Sequence, residues 1–343
     1  MWGGFQSAAR YNRRRMQYRD LGRTGIRVSA IGFGGWAIGG AAGASGTPLG
    51  WGRTSDDESL AAIRRARDLG VTFFDTADSY GFGRSESLLG IVLSRRRGDV
   101  VIATKVGIVR TAAGEMRKDF SKQHIFLAVD GSLKRLRTDY IDLYQTHNPT
   151  LDELRREEIQ EAMEMLQDAG KIRSWGISIS TPEEGMEIVE RGWAHTIQVL
   201  YNILNQAPAR ELFPAAQAKG YGIIARVPLA SGLLTGKFRP DSQFAADDVR
   251  QNFLTQRRLQ EAVDRVDEAK AIIGGSARNL AEAALRFVLA HEAVSTTIPG
   301  ARSVHQVETN AAAAEGTLPT DVVDKLRARL GDVNFYQKHG IRI

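Results

Sequence analysis

Short apolar segments alternate with amphipathic segments along most of the chain, and this alternation limits the fold more than any other feature of the sequence. It is typical of βαβ units, in which helices connect the parallel strands of one sheet. Amphipathic stretches such as 57–68 and 122–136 are predicted to form such helices. The predicted strands are 31–34, 71–75, 100–105, 140–146, 172–178, 196–200, 222–226 and 294–298.

Eight such units predict an α/β fold of the (β/α)8 TIM barrel type, and 343 residues are enough for one barrel. The alternative is a doubly wound open sheet, which usually carries G-x-G-x-x-G after its first strand. The run from Gly32 to Trp36 reads G-F-G-G-W and lacks the final glycine spacing. The barrel is therefore favoured, with a predicted N-terminal β-hairpin at 18–28, a long loop at 238–256 and an extra helix at 318–330.

The chain is interpreted as a basic N-terminal extension at 1–17 followed by a single barrel domain at 18–343. Much of the net charge of +6 comes from a cluster of arginines, namely Arg10, Arg13, Arg14, Arg15, Arg19 and Arg23. Because the rest of the chain alternates acids and bases, we interpret this cluster as a solvated arm, and no nucleic-acid partner is expected. Residues 1–15 are expected to be dispensable, with Met16 as a second start site.

The composition of the chain excludes several classes of protein and site. No run of about 18 apolar residues occurs, so no membrane span is expected. No apolar stretch follows Arg13, Arg14 and Arg15, so no secretory signal is expected either. The absence of cysteine excludes disulfides, thiolate catalysis and cysteine metal sites, and no metal is expected. A cytoplasmic enzyme is therefore the default expectation, and the sequence leaves the oligomeric state open.

Polar side chains follow three consecutive predicted strands, at the end where barrel enzymes place their catalytic groups. Asp75 and Tyr80 follow the second strand, Lys105 ends the third, and His147 follows the fourth. Each of these residues alone has an ordinary structural explanation, such as helix capping, packing or surface exposure. Because neighbouring strand ends face one pocket, the four together predict an active site.

The chemistry of these four side chains is mutually consistent. A tyrosine hydroxyl has a pKa near 10, and a nearby ammonium lowers that pKa by stabilising tyrosinate. Tyr80 is thus the predicted general acid, Lys105 tunes it, and Asp75 anchors Lys105. His147 is predicted to orient and polarise the substrate carbonyl. Since the set contains no reductant, it implies a hydride-carrying cofactor.

These motifs resemble the aldo-keto reductase superfamily, whose catalytic tetrad consists of Asp, Tyr, Lys and His. The similarity extends over roughly residues 18–315 and includes the opening motif L-G-R-T-G at 21–25. The resemblance implies a bacterial-type, NADPH-dependent oxidoreductase that reduces an aldehyde, ketone or aldose, or oxidises the corresponding alcohol. The implied cofactor is NADPH or NADP.

The resemblance also implies which residues bind the cofactor and the substrate. Those implied at the nicotinamide are Gly35, Trp36, Ser178, Gln198 and Arg226. Those implied at the pyrophosphate are Leu229, Ser231, Gly232, Leu234 and Lys237. Those implied at the adenosine and its 2′-phosphate are Gly300, Arg302, Gln306 and Asn310. Trp36 and Trp51 are candidates for an apolar or sugar-stacking substrate wall.

Two other functions remain open from the residues alone. Lys105 could form a Schiff base in a barrel aldolase, although that requires a lowered lysine pKa, which Asp75 opposes. The chain could also be a nucleotide-binding, redox-sensing subunit without turnover. Substrate choice is expected to depend on loops, chiefly 37–54 and 106–121, and on the tail after 331.

Overall fold

The computed structural model describes residues 16–41 and 50–341, so the predicted arm at 1–15 lies outside the described residues. The described part begins with an antiparallel β-hairpin formed by Tyr18–Asp20 and Arg27–Ser29, in agreement with the hairpin expected at 18–28. The backbone nitrogen of Arg23 donates to the carbonyl of Gly220 at 2.7 Å. The hairpin therefore covers the amino-terminal end of the main sheet.

One sheet of eight parallel strands forms the centre of the described chain, and its strands follow one another in sequence order. Each strand lies within two residues of a predicted segment, and three match at both ends. The strands are β1 (Phe33–Gly34), β2 (Phe73–Asp75), β3 (Val101–Val106), β4 (Ile141–His147), β5 (Ile172–Ser178), β6 (Thr196–Leu200), β7 (Gly222–Arg226) and β8 (Val294–Thr297).

The sheet curves until its first and last strands meet. Isolated parallel bridges join Ile31 to Thr297 and Gly34 to Gly300, and the Gly32 nitrogen donates to the Thr297 carbonyl at 2.8 Å. A doubly wound sheet would reverse its strand order at a switch point, and this sheet does not. The open-sheet alternative is therefore wrong, and the curved parallel sheet is consistent with the predicted barrel.

A helix follows each strand and packs on the outside of the sheet. Several are capped as their sequences indicate. In α5, for example, Thr181 precedes the first helical residue, Pro182, and forms a reciprocal capping box with Glu184. The helices are α1 (Asp56–Asp68), α2 (Arg84–Leu93), α3 (Lys122–Leu136), α4 (Glu157–Asp168), α5 (Pro182–Arg191), α6 (Leu212–Ala218), α7 (Leu280–Leu289) and α8 (Val304–Ala312).

The interior of the sheet is apolar at one end and polar at the other. A small apolar cluster that includes Phe73, Ala103 and Leu143 fills the amino-terminal end beneath the hairpin. Two residues further along these strands, on the same face, come Asp75, Lys105 and Gln145. The period of two thus brings polar groups to the carboxyl end of the sheet.

Several segments lie outside the eight units. Helix Gln256–Ile273 follows the predicted long loop, and Thr320–Leu330 agrees with the extra helix expected at 318–330. The segment expected as a loop after β3 contains a second hairpin, Ile108–Arg110 with Met116–Lys118. Its turn includes Gly114 at φ 82°, a left-handed conformation that glycine adopts readily. Sequence propensity alone did not identify this hairpin. Among the described residues, no helix combines the length and apolarity needed to cross a bilayer.

We predict that Gly34→Ala destabilises the fold where β1 meets β8. An added Cβ would lie 2.5 Å from the carbonyl oxygen of Ile298, which is backbone and cannot rotate away. Overpacking of this kind costs about 1–3 kcal/mol, so the melting temperature should fall. Gly98→Ala is the control, since nothing lies within 4 Å of its added Cβ. Equal melting temperatures for the two variants would contradict the close contact.

Candidate active site

A buried ammonium group organises the carboxyl end of the sheet. Lys105 Nζ donates to Asp75 Oδ1 at 2.6 Å, to the Thr76 carbonyl at 2.9 Å and to Tyr80 Oη at 3.2 Å. The side chains of Lys105 and Asp75 are 0% and 2% exposed. Each of the three ammonium protons therefore has an acceptor.

The turn after β2 brings Tyr80 back over the strand ends. The nitrogen of Tyr80 donates to the Ala77 carbonyl at 3.2 Å, and the Tyr80 carbonyl accepts from Ser85 at the start of α2. Gly81 and Phe82 follow with φ values of 62° and 51°. This tight left-handed turn directs the tyrosine hydroxyl towards Lys105.

The second oxygen of Asp75 is bound by two amides. Gln198 Nε2 lies 2.8 Å and Gln145 Nε2 lies 3.3 Å from Asp75 Oδ2, and the two glutamines are joined at 3.2 Å. Sequence reasoning missed Gln145. Its position two residues before His147, on the same face of β4, is the signal that could have found it.

Lys105 is charged in this environment. Burial disfavours its ammonium, but Asp75 and Tyr80 outweigh that effect and raise the pKa of Lys105 above its ordinary value. A Schiff base needs a neutral amine, and a lysine with a raised pKa supplies less of it at neutral pH.

Tyr80 holds its proton more firmly than the sequence indicated. Burial raises the pKa of Tyr80, and this outweighs the lowering effect of Lys105. The ammonium acts in the expected direction, but the net shift is upward, because desolvation of tyrosinate is the larger effect. Tyr80 is therefore protonated at neutral pH and is able to donate a proton.

His147 lies edge-on to the Tyr80 ring, with centroids 5.7 Å apart. Its Nδ1 lies 3.5 Å from Ser79 Oγ. Burial, together with the positive charges of Lys105 and Arg226, holds the pKa of His147 well below its ordinary value. The imidazole is neutral at neutral pH and has one N–H to donate.

The residues expected at a nicotinamide border the same end of the sheet. The Trp36 ring lies nearly parallel to Tyr80 at 6.3 Å and contacts Trp51 at 5.6 Å. The Gly35 carbonyl accepts from Ser85 Oγ at 2.9 Å, and Arg226 Nη2 donates to the Ile179 carbonyl at 3.1 Å.

Two of the side chains expected at the nicotinamide have protein partners in this structure. Ser178 Oγ donates to Asn148 Oδ1 at 2.9 Å, and Gln198 Nε2 donates to the carboxylate of Asp75. Because these bonds use donors, Ser178 Oγ and Gln198 Oε1 can each still accept a hydrogen bond from a ligand.

The turn after β7 has an unusual backbone. Its 3-10 segment, Ala230–Thr235, contains Ser231 and Gly232 at φ values of 55° and 92°. Leu229 precedes this segment and is half-buried, whereas Leu234 is fully buried. Successive backbone amides in such a turn can form a concave anion site.

Three cations gather beyond this turn. Partial burial and the nearby charges of Arg250 and Arg302 lower the pKa of Lys237. Lys237 and Arg250 both lie over the Phe238 ring, and Arg250 also lies over the Trp51 ring. The Arg302 guanidinium donates to the Trp51 carbonyl at 3.0 Å, and its backbone nitrogen donates to Gln306 Oε1 at 2.9 Å. Arg250 is paired with the carboxylate of Asp248, so Lys237 and Arg302 are the two of these cations that suit a phosphate.

The other residues expected near the adenosine lie on α8 or in the segment just before it. Ser303 caps the helix by accepting from the Gln306 nitrogen at 3.4 Å. Asn310 is buried on the same helix, and Gly300 lies beside Gly34, where β1 and β8 meet.

Besides Asp75, the site contains the carboxyl of Asp78, which sequence reasoning missed. Its Oδ1 is buried and has no hydrogen-bond partner among the described residues. Burial, with a contribution from the nearby Glu86 carboxylate, raises the pKa of Asp78 to about 8. Asp78 thus lies in the same turn as Tyr80 but is protonated at neutral pH.

Comparison with known proteins gives one consistent result. The sequence profile of the Aldo/keto reductase family matches residues 30–330. The chain is 36% identical over 302 residues to "Aldo-keto reductase YhdN" of Bacillus subtilis (strain 168), covering 85% of this chain and 87% of that protein. It is 31% identical over 335 residues to a probable voltage-gated potassium channel subunit beta of Oryza sativa subsp. japonica, covering 91% and 96%.

Solved structures agree with this result. The holo form of aldo-keto reductase AKR11C1 from Bacillus halodurans superposes with a TM-score of 0.75 at 33% sequence identity. The match covers 91% of this chain and 96% of that one.

We predict that Asp78→Asn changes how stability depends on pH. Because the folded-state pKa of Asp78 is raised from 3.8 to about 8, the folded chain binds a proton that the unfolded chain has released between these values. Below this window, the protonated Asp78 carboxyl contributes fully to the stability of the fold. As the pH rises through the window, the free energy of unfolding falls by up to about 1.4 kcal/mol per pH unit. The measurement is urea unfolding at several pH values within the window.

The variant should lack this loss, so its free energy of unfolding should rise relative to wild type as the pH increases. Asp241→Asn, at an exposed position, is the control. Parallel pH profiles for wild type and Asp78→Asn would show that Asp78 does not bind this proton.

Proposed function

Because the chain belongs to the aldo-keto reductase family, we propose that it is an oxidoreductase that transfers hydride between NADP(H) and the carbonyl carbon of an aldehyde, ketone or aldose. One observation carries the proposal, the buried Lys105 ammonium that joins Asp75 to the hydroxyl of Tyr80. That arrangement delivers a proton and stabilises the anion that remains.

In the proposed reduction, Tyr80 gives its proton to the substrate oxygen. A bound nicotinamide would supply the hydride that this chain lacks. The tyrosinate left behind is stabilised by Lys105, whose charge is maintained by Asp75. In alcohol oxidation, the same tyrosinate takes up the hydroxyl proton.

His147 has the complementary role of orienting the substrate. Since its imidazole is neutral, it donates an N–H to the carbonyl oxygen without competing with Tyr80 as an acid. Trp36 and Trp51, which contact each other beside Tyr80, form the proposed substrate wall. An aromatic wall suits apolar substrates and the apolar face of a sugar.

The residues present fit a nicotinamide dinucleotide phosphate. Its anionic groups would meet the left-handed turn at Ser231 and the cations Lys237 and Arg302. The nicotinamide would lie near Trp36 and Arg226, with its carboxamide on Ser178 and Gln198. We also infer that the sheet closes as a (β/α)8 barrel, because backbone hydrogen bonds join β1 to β8.

A nucleotide-binding sensor without turnover is the second candidate. The observation that favours it is the similarity to the rice protein named as a probable voltage-gated potassium channel subunit beta. Steady-state NADPH oxidation with a panel of aldehydes, ketones and aldoses separates the two functions. The Schiff-base alternative is disfavoured by the raised pKa of Lys105, and borohydride trapping with substrate tests it.

We predict that Tyr80→Phe retains NADPH binding and loses at least about 10²-fold in turnover, a typical contribution of a general acid. Phenylalanine keeps the ring beside Trp36 and removes only the proton donor. Tyr18→Phe is the matched control, because its hydroxyl binds the Gly70 carbonyl away from the site. Near-normal turnover of Tyr80→Phe would refute the assignment of the acid.

We predict a preference for NADPH that depends on Arg302. A guanidinium binds a phosphate through charged hydrogen bonds, so Arg302→Ala should weaken NADPH binding by roughly 1.5–3 kcal/mol and leave NADH affinity nearly unchanged. Fluorescence titration of both nucleotides measures this, with the exposed Arg95→Ala as control. Equal losses for NADPH and NADH would show that Arg302 does not contact the 2′-phosphate.

A further inference from the structure

Ser231 has a backbone conformation that serine rarely adopts. Its φ and ψ are 55° and 25°, between Ala230 at φ 48° and Gly232 at φ 92°. A residue with a Cβ pays about 1–3 kcal/mol for such a conformation and keeps it only where its surroundings impose it. Ser231 is 1% exposed, so protein contacts must supply that constraint.

Two buried side chains from separate segments bind Ser231 at different atoms. Tyr336 Oη donates to Ser231 Oγ at 3.0 Å from a position 105 residues away. Arg250 Nη1 donates to the Ser231 carbonyl at 3.3 Å from 19 residues away. Both come from parts of the chain outside the eight strand–helix units.

Arg250 is itself held in place. Its Nε donates to both carboxylate oxygens of Asp248 at 2.9 and 3.1 Å, and its side chain is 9% exposed. Its guanidinium also lies over the rings of Trp51, Phe238 and Phe244 at 5.1–5.2 Å.

Gly232 fits closely against this group. An added Cβ there would lie 3.3 Å from Arg250 Nη1 and 3.3 Å from the Phe238 ring. The loop after β7 is thus packed around Arg250 and directly against the turn.

Tyr336 is fixed by the C-terminal helix Phe335–Lys338. Asn334 Oδ1, just before this helix, accepts from the nitrogens of Gln206 and Ala207 at 3.1 and 3.0 Å. The Phe335 nitrogen donates to the Leu204 carbonyl at 2.9 Å, and its side chain is fully buried. The C-terminal segment is therefore anchored to the loop after β6.

We propose that Tyr336 and Arg250 are positioning residues that hold Ser231 in its left-handed conformation, so that the turn after β7 is already formed when the dinucleotide binds. The C-terminal segment and the loop after β7 then set cofactor affinity without touching the cofactor. A preformed site avoids the cost of ordering the turn on binding. This inference rests on the proposed function, because it assigns the turn to cofactor binding.

Substitutions at Ser231 separate a conformational role from a direct one. Ser231→Ala and Ser231→Gly both remove the hydroxyl, but glycine adopts positive φ at little cost whereas alanine does not. If the contacts act by holding the conformation, Ser231→Gly should bind NADPH more tightly than Ser231→Ala in fluorescence titration. Equal dissociation constants, or weaker binding by Ser231→Gly, would overturn the proposal.

Tyr336→Phe extends the test to the C-terminal segment. It should raise the NADPH dissociation constant by about fivefold or more, the equivalent of about 1 kcal/mol of lost preorganisation. In the Ser231→Gly background the same change should have less than about a twofold effect. Equal effects in the two backgrounds would refute the proposal that Tyr336 acts by holding Ser231 in its left-handed conformation. Tyr18→Phe is again the control.

Amide hydrogen exchange, measured without nucleotide, tests this inference independently of the proposed function. Amides at 229–235 should exchange faster in Tyr336→Phe and in Arg250→Lys, which keeps the charge but loses the planar fork. If wild type does not bind NADPH, the proposed function fails, and exchange alone then decides the holding role. Unchanged exchange in both variants would overturn the inference.

Discussion

The buried ion pair between Lys105 and Asp75 is the interaction on which the site depends. A charge withdrawn from water persists only when it is paired and its remaining hydrogen bonds are satisfied. Here Thr76 and Tyr80 satisfy the ammonium, and Gln145 and Gln198 satisfy the carboxylate. The pair and its partners come from β2 and the turn after it, β3, β4 and β6. One ion pair thus ties together four strands at the carboxyl end of the sheet.

The same burial has opposite effects on the groups around that pair. Tyr80 and His147 are each driven towards their neutral forms, with the pKa of Tyr80 raised and that of His147 lowered. The pKa of Lys105 is raised instead, because Asp75 lies 2.6 Å away. A protonated acid, a neutral hydrogen-bond donor and a fixed positive charge therefore coexist within one site. This set of charge states suits proton donation to a carbonyl oxygen.

The two ends of the proposed cofactor site are built differently. Residues expected near the nicotinamide lie on or next to the strand ends, so the sheet itself fixes their positions. The turn at Ser231 lies beyond β7 and is hydrogen-bonded by Arg250 and Tyr336, which the eight strand–helix units do not supply. Segments added to the basic fold thus contact the part of the proposed site that is assigned to the phosphates.

The sequence by itself determined the strands and the spacing of the four polar residues. Strands β5, β6 and β7 match the predicted segments at both ends, because apolar runs and alternation are local properties of the chain. The binding of Gln145 and Gln198 to Asp75 and the hydrogen bond from Tyr336 to Ser231 were decided only by tertiary structure. These pairs are separated by 70 to 123 residues, and no local pattern encodes their distances. The net pKa of Tyr80 also needed the structure, because burial opposes the nearby charge, and only packing determines which effect is larger.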